Sequence, residues 1–154
     1  MKKPKYMEEL LKIIFLWLGV AFIAVGFFSF AGLMKPKASS LIQNAVLMGI
    51  IFAGLGLAYM IVSFILGAAA AKRNKLHSEL IATGVQVKGT IEKVYLQTGT
   101  QYGKQSPYRV VYAYTYQSEE YHCKSYFLWE KPNLAVGDSI IVYVNNDGKS
   151  TVKL

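Results

Sequence analysis

Cysteine occurs once, at Cys123, so no internal disulfide is possible, and no Asn-x-Ser/Thr acceptor site is present. Both absences fit a reducing, unglycosylated compartment. Acidic residues are scarce, nine against 17 Lys and Arg, for a formal net charge of +8 at pH 7. Phosphate loop, dinucleotide-binding fingerprint and metal-ligand spacing are all missing, so neither a metal nor another cofactor is expected. The absence that organises the chain is that of charge: residues 13–34 and 45–71 contain no Asp, Glu, Lys, Arg or His.

Residues 45–71 form an apolar run of 27 residues, stopped by Lys72, Arg73 and Lys75. As a helix it would rise about 40 Å, and about 20 apolar residues already cross a hydrocarbon core of about 30 Å. Residues 13–34 form a second run of 22, behind the basic leader of residues 1–12. That run would rise about 33 Å, enough for a second span. A cleaved signal peptide is the rival reading, since Ser29 and Ala31 are small residues at suitable spacing. The run is longer than the 7 to 15 residues usual for a signal core, which favours a span. Without a charged side chain inside either run, an ion or proton path through them is not expected.

Residues 35–44, with Pro36, read as the external loop of a helical hairpin. Lys2, Lys3, Lys5 and Lys12 precede the first span and Lys72, Arg73 and Lys75 follow the second, against Lys35 and Lys37 between them. The positive-inside rule then places both termini in the cytoplasm, in a multi-pass protein of the plasma (inner) membrane. Lys72, Arg73 and Lys75 are candidates for lipid headgroups. Within the second span Gly49, Ala53 and Gly56 share a face and Gly54 with Ala58 forms another small pair, the residues that let helices approach closely. Gly19, Gly26 and Gly32 are candidates for the opposing surface.

Residues 72–84 should prolong the second helix as a juxtamembrane linker, with Gly84 as its stop and His77 a solvated position. From Val85 the periodicity changes to two. Strands are expected at about 85–91, 108–116, 121–129, 139–144 and 151–154. Residues 97–106 read as a mobile loop, residues 117–120 as a turn carrying Glu119 and Glu120, and Asn146-Asp147-Gly148 as a hairpin turn. The fold class is therefore an α+β membrane protein, a two-helix transmembrane hairpin followed by a small antiparallel β barrel of the OB or SH3 kind over residues 85–154.

The two spans, the Gly-x-x-x-x-Gly-Thr-Ile strand at 84–91, Pro107-Tyr108-Arg109-Val110-Val111-Tyr112 and the segment from Val136 to Asn145 together carry a resemblance. Over about residues 80–154 the chain resembles the bacterial membrane-protein family catalogued as domain of unknown function thirty-five ninety-two. The chain departs from that family in having Asn145-Asn146-Asp147-Gly148 where a proline-containing turn is common, and in having no third span after the β domain. The resemblance implies a small membrane protein without an assigned activity, so no catalytic residue transfers.

His122 and Cys123 are neighbours on a strand and so point to opposite faces, which prevents them from sharing a metal or forming a nucleophile and base. Cys123 served by distant His77 is the one nucleophile an enzyme reading could use; a structural thiol is the preferred reading, and no enzyme is expected. Tyr112, Tyr114 and Tyr116 stand on one strand face. They read either as the large side chains that fill a small barrel or, with Arg109, as a stacking face for a ligand or single-stranded nucleic acid. The core reading is favoured, and few cations accompany the stripe, so nucleic acid is not expected. The functional expectation is a protein-interaction or scaffolding module at the cytoplasmic membrane face, with the bilayer and a protein partner or a second copy as its contacts. A ligand-sensing barrel is the alternative.

Overall fold

In a computed structural model, residues 3–34 and 44–154 are described. They form two compact units, one of Met7–Ala70 and one that joins Met1–Tyr6 to Ala71–Leu154.

The first unit holds helix α1, Met7–Phe30, and most of helix α2, Ala45–Thr83. Both helices are long and apolar enough to cross a membrane. Helix α1 begins six residues before the expected run and ends four before its limit. Gly32, at φ 72°, turns the chain while Leu33 and Met34 donate amide hydrogen bonds back to the Phe28 carbonyl. This left-handed turn satisfies carbonyls that the helix end leaves unpaired. Asn44 caps α2, its side-chain oxygen accepting from the amides of Val46 and Leu47 at 2.9 and 3.3 Å. The rest of the expected 35–44 loop lies outside the described residues.

The two helices run antiparallel and touch through small residues. A methyl group on Gly26 would lie 2.9 Å from the Ala53 nitrogen, and one on Gly56 would lie 2.6 Å from Ile23. Gly19 and Gly49 are equally crowded, so Gly49, Ala53 and Gly56 do sit on the packed face. Gly54 and Ala58 are exposed, and Gly32 and Gly54 have nothing within 4 Å, so these three take no part in the pairing. Phe22 packs between Phe52 and Tyr59, and the buried Ser63 hydroxyl donates to the Lys12 carbonyl at 3.0 Å.

The second unit contains strands β1 Val85–Leu96, β2 Tyr108–Tyr116, β3 Glu119–Lys124, β4 Ser139–Val144 and β5 Ser150–Val152. They form one antiparallel sheet in the order β3-β2-β1-β4-β5. The long β1 pairs with β4 along its first half and with β2 along its second, and changes register between Ile91 and Lys93. Gly89, two residues before this bulge, lies where a Cβ would meet Val142 at 2.7 Å and the Ala113 carbonyl at 2.9 Å; a bulge and a glycine are the usual means of curling a strand. Inside the curl lie Ile91, Val110, Tyr112, Tyr114, Ile140, Val142, Val144 and Val152.

The expected closed barrel is an open half-barrel, because β3 and β5 share no ladder. Isolated contacts cross the seam in place of a ladder: the Ser150 hydroxyl lies 3.5 Å from Cys123 Sγ and 3.5 Å from the Tyr112 hydroxyl, and the Tyr114 hydroxyl donates to the Gly148 carbonyl at 3.3 Å. Three other expectations change. Glu119 and Glu120 belong to β3, because Gln117 and Ser118 alone make the turn, at φ 52° and 68°. Strand β3 ends at Lys124 instead of continuing to 129, and residues 125–138 form a connector held by the Tyr108–Leu128 bridge. The segment 97–106 is a tight excursion closed by Tyr102 against Gln105, with Thr100 buried and Tyr102 edge-on to Trp129.

Candidate functional site

The second unit draws its two ends together. Residues 3–6, ahead of α1, lie against the connector: the Phe127 amide donates to the Lys5 carbonyl at 2.8 Å and the Trp129 indole to the Pro4 carbonyl at 2.7 Å. Lys3 reaches the Gln105 side chain at 2.7 Å, Lys5 lies over the Tyr126 ring, and Tyr6 is buried beneath Arg73 of α2. This clasp was not read from the sequence. Its signals are Pro4 and Tyr6 inside an otherwise basic leader, and the Trp129 that the shortened β3 leaves in a connector.

Two concavities flank the clasp. The larger, about 1100 Å³, is lined by aromatic and aliphatic side chains of the connector and β4, among them Tyr126, Leu128, Trp129, Leu134, Ile141 and Tyr143. Its charged lining is Lys3, Lys5, Lys131 and Lys153 against one acid, Glu130. It is an apolar groove bordered by positive charge.

The smaller, about 590 Å³, lies where the half-barrel fails to close. It is lined by β3 and β5 and by the part of α2 beyond Ala71, and no Asp or Glu contributes to it. His77, expected in solvent, is instead buried here; its Nδ1 is 2.6 Å from the Thr151 hydroxyl and its ring meets Tyr126 edge-on. Burial, with a smaller effect from the Lys5 ammonium, holds the His77 imidazole below its ordinary value of 6.5. His122, on the opposite face of β3 from Cys123, lies 2.9 Å from Glu92, and that carboxylate raises its pKa.

The aromatic stripe is core. Tyr112 and Tyr114 are 2% and 3% exposed and form a stacked ladder with Tyr121, at centroid distances of 6.2 and 5.3 Å. Burial pushes the Tyr112 phenol up to about 12. Tyr116 is half-buried against the same cluster. With their faces occupied, Tyr112 and Tyr114 leave no surface on which a base could stack, although the Tyr112 edge reaches the smaller cavity. Arg109 points its guanidinium over Phe127 at 4.6 Å, and its Nε is buried without a hydrogen-bond partner among the described residues. Lys75 pairs with Glu79 across one turn of α2. Among the described residues no three His, Cys, Asp or Glu side chains are grouped to hold a metal.

No protein-family model matches the chain, and no curated protein or solved structure matches it.

Proposed function

We propose that the chain is an integral membrane protein whose two-span hairpin anchors the β unit at the cytoplasmic face of the plasma membrane, where that unit serves as a protein-interaction module. The clasp carries this reading. Residues 3–6 are hydrogen-bonded into the same unit as residues 71–154, so the chain leaves that unit at Tyr6 and returns to it at Ala71. Membrane crossings between those points must be even in number, which two apolar helices satisfy and one does not. The excess of Lys and Arg flanking the pair then favours the cytoplasmic side for the clasped unit. The resemblance to domain of unknown function thirty-five ninety-two over residues 80–154 belongs to the same proposal.

The interaction role rests on the larger groove, whose apolar lining and four lysines suit a partner segment that is apolar and acidic. A photo-crosslinking residue at the exposed Ile141, used in intact cells, tests it. One discrete adduct is expected, lost when Lys131 and Lys153 are both changed to Glu. No adduct, or one indifferent to the charge reversal, would contradict the interaction role.

A further inference from the structure

We propose that the seam of the half-barrel is a binding site for a phosphate group, with Arg109, Lys124 and Lys149 as its cationic donors. Their three charges come from different elements, β2, β3 and the segment leading into β5, and the fold brings them to one cavity of about 590 Å³. No carboxylate lines that cavity. His122, which also lines the cavity, is engaged by Glu92 at 2.9 Å. Like charges gathered at the rim of one cavity repel one another, an arrangement that anion binding would relieve.

Arg109 makes the site specific. Its guanidinium carbon lies over the Phe127 ring at 4.6 Å, and its buried Nε lacks a partner among the described residues. A buried charged donor left unpaired is costly, so an acceptor that reaches it is favoured. Planar donors from arginine match phosphate oxygens two at a time, while lysines supply point charges. Hydroxyls complete the lining: Ser150 touches Cys123 and Tyr112 at the seam, and Thr151 is paired with His77.

The open edge between β3 and β5 gains a function on this reading. A closed barrel would fill the seam with ladder hydrogen bonds; an open one leaves room for a ligand that bridges the two edges. The phosphate has two possible sources, a soluble phosphate compound or a lipid headgroup, and the same donors would take either.

The full chain in nanodiscs at fixed ionic strength tests the proposal through its thermal unfolding midpoint. Inorganic phosphate is titrated into discs of phosphatidylcholine, and in a second arm discs containing phosphatidate are used without free phosphate. A rise in the midpoint with free phosphate identifies a soluble ligand, and a rise only with phosphatidate identifies a lipid. In the responsive arm Arg109→Gln, and separately Lys124→Gln with Lys149→Gln, should each weaken apparent affinity about tenfold or more. The lysine pair is exposed, so its substitution tests charge without disturbing the core. No rise in either arm, or a rise that the lysine double variant retains in full, would overturn the proposal.

Discussion

The two units are built inside out with respect to each other. In the β unit the large apolar side chains face inward, with Val110, Val142 and Val144 wholly buried, and charges such as Lys88, Glu92 and Lys124 face outward. In the helical unit the most apolar side chains face outward. Trp17 is 68% exposed and Phe64 79%, while the buried positions among the described residues are all small: Gly19, Gly26, Ser29, Gly49, Gly56, Ser63 and Ala70. The β unit is stabilised by withdrawing hydrocarbon from water. In the helical unit contact is made by close approach of backbones at small residues, as the proposed membrane reading expects where the surroundings are as apolar as leucine. On the proposed membrane reading the two units meet different solvents, and each of the following changes breaks or sharpens that comparison.

The largest effect is expected from Tyr112→Ala. Removing this ring from the ladder and core should cost about 3 to 5 kcal/mol, enough to expose the β unit to limited proteolysis while the helices stay in the membrane fraction. Leu57→Arg, on the exposed face near the middle of the apolar run of α2, should cost about 3 kcal/mol of insertion free energy and lower the membrane-integrated yield. The same arginine on a helix in water would be tolerated, so unchanged or improved yield would break the comparison. Gly56→Ile should weaken α1–α2 association by about 1 to 3 kcal/mol, because its Cβ meets Ile23 and the Gly19 carbonyl, and Gly54→Ala should leave association unchanged. Both are read by inter-helix cross-linking in detergent. Ser118→Gly should stabilise the β unit by about 1 kcal/mol in chemical unfolding, since Ser118 holds a left-handed conformation that glycine adopts without strain.

The two histidines give the smallest effect and the sharpest sign. His77 is depressed by burial, so it binds fewer protons folded than unfolded; its contribution is present above 6.5 and fades as pH falls through that value. His122 is raised by Glu92, so its contribution is present below 6.5 and is lost as pH rises through the folded value. Because His77 is buried and His122 lies in solvent, the unfolding midpoint of the β unit should fall between about pH 7 and pH 5. His77→Gln should flatten that decline and His122→Gln should steepen it.

Much of the fold is legible in residue order alone. Charge-free runs, the change of period at Val85 and the Asn146-Asp147-Gly148 turn place both helices and the five-stranded sheet. The misplaced limits have local causes. Gln117-Ser118 adopts a turn usually signalled by Asn-Gly, which hid the start of β3, and the alternation after Lys124 continues through a connector that pairs only at Leu128. The candidate sites were less legible because long-range contacts make them. His77 is buried by Thr151, 74 residues away, and Trp129 is tied to Pro4, 125 residues away. Closure of the barrel depends on whether β3 and β5 meet, and strand patterns do not encode that. Gly49, Ala53 and Gly56 were separable from Gly54 and Ala58 only by which face meets α1.

Two-sided thiol labelling in intact cells tests the anchoring most directly. Native Cys123 is half-buried at the seam, so it is changed to Ser, and single cysteines are placed at Ser39, between the helices, and at the exposed Asn146 turn. A membrane-impermeant maleimide should label Ser39→Cys in intact cells and Asn146→Cys only after permeabilisation. Labelling of both in intact cells, or of neither with the protein in the soluble fraction, would contradict a two-span anchor with a cytoplasmic β unit.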